Sequence, residues 1–191
     1  MKKVNKNIEA VVIGASAGGL SALQNICRYL DKTFSKPIVI VQHIHAHSDD
    51  FMAWHLNSIS PLQVKEAEDK EKLEKGIIYV APANYHIMID DNKTISLTTD
   101  ERVNYSRPSI DVLFESASDV FQDQLVGIIL TGANGDGTAG MNSIKQSGGI
   151  TVVQDPQTAE VRTMPESVLK QVPIDQVLPL EKIAQFLNSL N

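Results

Sequence analysis

The chain has 191 residues, 42% of them hydrophobic and 21% charged, a size and balance that fit one globular domain and exclude a disordered or fibrous polymer. A formal charge of -6 and a pI near 5.3, with no basic run beyond Lys2-Lys3, exclude a general nucleic-acid binder, whose affinity needs a clustered basic face. No run of about eighteen apolar residues occurs, which excludes a membrane span, and Cys27, the single cysteine, excludes an intrachain disulfide or a Cys-based zinc site.

Lys2, Lys3 and Lys6 precede an apolar stretch containing Ala15-Ser16-Ala17, a faint imitation of a secretion signal. Glu9 interrupts its charge pattern and cleavage there would discard the first strand, so a cytoplasmic protein is expected. Strands are predicted at Glu9–Gly14, Pro37–His43, Gly76–Pro82, Leu125–Gly132 and Gly149–Asp155, where short β-branched runs end in turn residues. Between them, Gly18–Leu30 places Leu20, Leu23, Ile26, Cys27 and Leu30 on one stripe. Ser109–Phe121 does the same with Leu113, Phe114, Ala117, Val120 and Phe121. Both predict crossover helices. Residues 85–99, "YHIMIDDNKTISLTT", alternate around Asp91-Asn92 and predict an antiparallel hairpin appended to the sheet. Pro165 and Pro179 sit where each can start a short helix. The expected fold is α/β: a doubly wound, mostly parallel, Rossmann-like sheet in a single domain over 1–191.

The opening loop, "VVIGASAGGL", does not fit a nucleotide site. A dinucleotide fingerprint needs glycine where Ser16 stands, and a P-loop needs a lysine after Gly19. It does match G-x-S-x-G, in which small neighbours let a serine stand on a sharp strand-to-helix turn beside a helix N-terminus. From the loop alone, a nucleophile and a serine that only caps the next helix fit equally well.

A serine nucleophile needs a base and a group that orients the base. Of the five histidines, His43 directly ends a predicted strand, as Ser16 does; His45, His47 and His55 fall in loop and helix, and His86 opens the hairpin. Asp136 lies in the glycine-rich loop "LTGANGDGTAG" after another strand and could equally cap the helix that follows. Strands of like direction end on one edge of a doubly wound sheet, where ligand crevices form. That places Ser16, His43 and Asp136 together and favours one site over three unrelated caps. The chain order Ser, His, Asp is not that of α/β-hydrolases.

These blocks are similar to the catalytic domain of the chemotaxis protein-glutamate methylesterases, the CheB family. The resemblance runs through "VVIGASAGG", "VQH", "GIIYVAPANYH", "RPSIDVLFESA", "GIILTGANGDGTAGM" and "MPESV". It implies a serine esterase in which Ser16, His43 and Asp136 form the triad, acting on methylated glutamates of methyl-accepting chemotaxis receptors, with no cofactor or metal. Some members also deamidate receptor glutamines. Backbone donors near Ala17 and Ala133 are expected to form the oxyanion site. Arg107 is expected either to hold a carboxylate or to pair with an acidic neighbour, and His86 either to line the pocket or to be a structural histidine.

Three features depart from the family pattern. "IHAHSDDF" follows His43 where Met-Pro is usual, and Ala133 stands where Met is usual. The family commonly carries a receiver domain ahead of the catalytic one, whereas only about eight residues precede the first strand here, far fewer than a domain needs. Activity without phosphorylation of this chain is therefore expected, with any control coming from a separate regulatory protein. Two rival readings stand beside this one. One is a binding module on the same fold that has lost turnover; the other is a metal-dependent hydrolase built on His43, His45, His47, Asp49 and Asp50.

Overall fold

In a computed structural model, which describes residues 6–191, seven short strands lie side by side as a parallel sheet; Lys2 and Lys3 lie outside the described residues. The elements are β1 (Ala10–Ala15), α1 (Gly19–Tyr29), β2 (Ile38–Gln42), α2 (Phe51–Ile59), β3 (Gln63–Glu66), β4 (Ile77–Val80), β5 (His86–Ile89), β6 (Ile95–Thr98), α3 (Ile110–Phe121), β7 (Leu125–Ile129), α4 (Thr138–Gln146), β8 (Ile150–Gln154), α5 (Thr163–Gln171), β9 (Gln176–Leu178) and α6 (Leu180–Asn188). The sheet order is β3-β4-β2-β1-β7-β8-β9. The chain leaves β1 toward β2 on one side and returns as β7 on the other, so the order reverses around β1. Crevices open at such reversals, beyond the carboxyl ends of the strands.

The central strands are buried on both faces because alternate side chains serve two separate layers. Val11, Ile13, Ile38, Ile40, Val126 and Ile128 pack with Leu23 and Ile26 of α1 and Ile183 and Phe186 of α6. Ala10, Val12, Val39, Val41 and Ile129 face the opposite way, onto Leu113, Phe114 and Ala117 of α3, Met141 of α4 and Val168 of α5. The stretch that imitates a secretion signal is therefore the central strand. Gly14 has a packing reason: a Cβ there would lie 2.4 Å from Ile110 Cγ2, so glycine lets the start of α3 close onto β1.

The hairpin is a separate two-stranded sheet and is not hydrogen-bonded to the parallel one. Its register, His86↔Thr98 through Ile89↔Ile95, centres the connection on Asn92. Ile87, Ile89 and Ile95 bury into the layer that contains α3. Pro165 is the third residue of α5, and Pro179 immediately precedes α6. The edge strands β3 and β9 were not expected. They are short, and the "QVKE" and "QVL" patterns alternate polar residues with few apolar ones, as edges exposed to solvent permit.

Candidate active site at the carboxyl edge of the sheet

Strand register carries the loops into alignment. Ala15 pairs with Gln42, and the ladder continues one step further: the His43 N–H donates to Ala15 O at 3.0 Å and the Ser16 N–H donates to Thr131 O at 3.0 Å. Ser16, His43 and the loop after β7 thus occupy neighbouring positions on one edge. Gln42, buried at the end of β2, donates through Nε2 to Ser16 O at 2.8 Å and to His43 O at 2.9 Å, locking the two backbones together. Gly18, at φ 76°, supplies the left-handed turn that carries the chain from Ser16 into α1. Ser16 does not cap α1: the residue preceding that helix is Gly18, with no side-chain cap.

His43 Nε2 lies 2.8 Å from Asp136 Oδ2. Asp136 does not cap the helix that follows it in sequence; its carboxylate serves α3. Oδ2 accepts the Ile110 N–H at 2.7 Å, and Oδ1 accepts the Asp111 N–H at 3.2 Å, the Ser109 hydroxyl at 2.9 Å, Asn104 Nδ2 at 3.1 Å and the Gly137 N–H at 3.1 Å. Free N–H groups at a helix N-terminus favour an anion. Burial alone would raise the pKa of this fully buried carboxyl, but the hydrogen bonds from His43, the Ile110 N–H and Asn104 outweigh it and hold the group at about 2. An ionised Asp136 accepts, so His43 Nε2 carries the proton and Nδ1 presents its lone pair. Asn134 faces that nitrogen through Nδ2 at 3.4 Å, its orientation set by Oδ1 accepting the Asp136 N–H at 3.2 Å.

Beneath this layer lies a second carboxylate. Asp111 accepts the Gly140 N–H at 2.8 Å and Asn104 Nδ2 at 2.8 Å. Burial pushes its pKa up to about 6; the Gly140 N–H acts against that rise, and the charge of Asp136 adds to it. The two N–H bonds of one Asn104 amide therefore join the two carboxylates. Asn104, Ser109 and Asn134 were not singled out in the sequence. Ser109 lies within the "RPSID" block, whereas nothing in the sequence marks Asn104, which the structure shows at positive φ, 49°.

Arg107 is committed elsewhere. Nε and Nη2 donate to Asn84 Oδ1 at 3.2 and 2.8 Å and Nη1 to the carbonyls of Thr99 and Asp100 at 2.6 and 2.9 Å, so it holds backbone and an amide rather than a carboxylate. His86 is a buried structural histidine: Nε2 donates to Glu101 O at 3.0 Å while Nδ1 accepts the Ser109 N–H at 3.2 Å, which steadies the residue that donates to Asp136. His45, His47, Asp49 and Asp50 are exposed, and among the described residues no group of three or more His, Cys, Asp or Glu side chains is placed to hold a metal ion. The N–H groups of Ala17 and Ala133 have no protein acceptor among the described residues. A recess of about 300 Å³ at the opposite edge, lined by Asn7, Lys36, Lys75 and Phe121 among others, brings no nucleophile and histidine together.

Comparison with known proteins shows the same fold. The crystal structure of the Thermotoga maritima CheB methylesterase catalytic domain superposes with a TM-score of 0.92 at 36% identity, covering 97% of this chain and all of that one. A relative from Leptospira interrogans is 54% identical across 94% of this chain and 93% of its own length. One from Clostridium acetobutylicum, named protein-glutamate methylesterase/protein-glutamine glutaminase, is 39% identical over 93% of this chain, which spans 52% of that protein. The family model for CheB methylesterase matches residues 11–187, most of the chain, and the chain belongs to the CheB methylesterase family.

Proposed function

We propose that this chain is a serine esterase that hydrolyses γ-methyl esters of glutamate on chemoreceptors, in the cytoplasm, and that residues 1–191 act as one catalytic domain. The observation that carries the reading is the 2.8 Å contact between His43 Nε2 and an ionised, buried Asp136, with His43 opposite Ser16 one step beyond the Ala15↔Gln42 pair on the same sheet edge. Ser16 Oγ attacks the γ-carbonyl while His43 Nδ1 accepts its proton. Asp136 stabilises the imidazolium that forms, as the orienting carboxylate of a triad does, here through Nε2 rather than Nδ1. The Ala17 and Ala133 N–H groups receive the oxyanion; a backbone donor at Ala133 does not require the methionine side chain usual there.

Collapse returns the proton from His43 to the departing methoxide, which leaves as methanol. Water, deprotonated by the same Nδ1, then attacks the acyl-enzyme and frees the γ-carboxylate. The same steps on a γ-amide release ammonia, which accords with the glutaminase activity in the name of the Clostridium acetobutylicum relative. Asn134 must swing away from Nδ1 when Ser16 engages it, and a 3.4 Å contact is weak enough to allow this. The test is methanol release from methyl-labelled receptor by the purified chain. Turnover without added metal supports the reading, and its absence from fully folded protein removes it.

A further inference from the structure

On the esterase reading, the substrate side chain enters neutral and leaves as an anion, at the same place. The recess beside the nucleophile, about 430 Å³ and open, is lined by Ser16, Gly18, Ser21, Gln24, Gln42 and Glu160 among others. Glu160 is the charged member of that lining. It is exposed, and among the described residues it has neither an ion pair nor a hydrogen-bond partner.

The backbone beside it is nevertheless fixed. The Val161 N–H donates to Thr131 Oγ1 at 2.9 Å, and that hydroxyl donates onward to Ala17 O at 2.8 Å. The Gly132 N–H donates to Val161 O at 3.0 Å. Thr131 is 1% exposed, so the Ser16 turn, the start of the Ala133 loop and the backbone beside Glu160 are tied through one buried hydroxyl. The side chain lies against the turn itself: a Cβ on Gly18 would meet Glu160 Cβ at 2.7 Å and Oε2 at 2.9 Å. An anion at this place also complements the N-terminus of α1, so a purely structural role predicts the same position.

We propose that Glu160 is a charge filter for the Ser16 crevice, rejecting the γ-carboxylate product while admitting the neutral ester or amide. Like charges brought together at this open recess repel, and no cation in the lining offsets them. The demethylated receptor, chemically one methyl group from the substrate, is thereby kept from occupying the site. This inference rests on the esterase reading.

The experiment measures, for wild type, Glu160→Gln and Glu160→Lys, the KM for methylated receptor and the inhibition constant of fully demethylated receptor, at low and high salt. The ratio of inhibition constant to KM is expected to fall about threefold or more in Glu160→Gln and further in Glu160→Lys, with the differences shrinking as salt screens the charge. An unchanged ratio accompanied by a lower Tm would assign Glu160 to helix stabilisation and overturn the filter alone. If neither wild type nor variants release methanol, the esterase reading falls and the filter falls with it.

Discussion

Two unlike walls meet at His43, one buried and one open to solvent. On one side Asp136 is fully buried and accepts from six donors spread over His43, Asn104, Ser109, the start of α3 and Gly137. On the other side, residues 44–50 leave β2 as a loop with His45, His47, Asp49 and Asp50 exposed, followed by Phe51 and Trp54 at 52% and 64% exposure. The first wall is over-determined, so the base keeps its tautomer before substrate arrives and little reorganisation remains for the reaction. The second is held by few contacts, among them Ser48 N–H to His45 O and Phe51 N–H to Asp49 Oδ1.

The sharpest way to break this contrast is at its most constrained point. Asp136→Asn should lower the hydrolytic rate on the order of 10³-fold or more, because the amide cannot hold the imidazolium or enforce its tautomer. Its NH2 group would also meet the N–H groups of Ile110 or Asp111, so Tm should fall with the rate. A pH titration of unfolding separates the charge from the shape. The folded pKa of Asp136, about 2, lies below the unfolded value of about 3.9. Its stabilisation is therefore complete above roughly pH 4 and lost as pH falls from there toward 2. Asp136→Asn should lack that acid limb; an unaltered acid limb with wild-type turnover would detach Asp136 from both roles.

Asn104 tests whether the rigid wall depends on its second layer. Asn104→Gly keeps the positive φ but removes the amide that joins Asp111 to Asp136. Loss of the hydrogen bond to Asp136, together with the one to Asp111, should cost about tenfold in kcat, with little change in KM. A change confined to KM would place Asn104 on the substrate instead.

This second layer shows where sequence reading stops. The G-x-S-x-G turn, the histidine ending β2 and the aspartate after β7 were legible because each is a local pattern tied to a strand end, and register alone brings them to one edge. The hairpin was legible from its alternation. What could not be read is that α3 turns its N-terminus onto Asp136, because that contact joins residues 25 or 26 positions apart across the sheet. Arg107 and His86 stayed open between two roles for the same reason: in sequence, an arginine bound to carbonyls looks like one awaiting a carboxylate, and a structural histidine looks like one lining a pocket. The short edge strands β3 and β9 carry too few apolar residues to register as strands.

A smaller effect is expected from Asp111, with the opposite sign to Asp136. Its folded pKa, about 6, lies above the unfolded value of about 3.9, so the native state binds the extra proton and stability declines as pH rises from about 4 through 6. Thermal unfolding of wild type and Asp111→Asn across that range should show the decline in wild type and its loss in the variant. Parallel curves would mean that Asp111 ionises in the folded state as it does in the unfolded chain.

The smallest effects belong to the open wall. His45→Ala and His47→Ala should each change turnover by less than about threefold, and a chelator should change nothing, whereas His43→Ala should fall as far as Asp136→Asn. Loss of activity in chelator, restored by zinc, would transfer the chemistry to the histidine-rich loop.

The central claim is that Ser16 is the nucleophile, and one substitution tests it most directly. Methanol release from methyl-labelled receptor is compared for wild type and Ser16→Ala, with Tm measured on both. Ser16 is half-buried and its hydroxyl has no hydrogen-bond partner among the described residues, so its removal should leave Tm unchanged while the rate falls on the order of 10³-fold or more, the remainder coming from the oxyanion donors and binding. Wild-type turnover in folded Ser16→Ala would contradict the account.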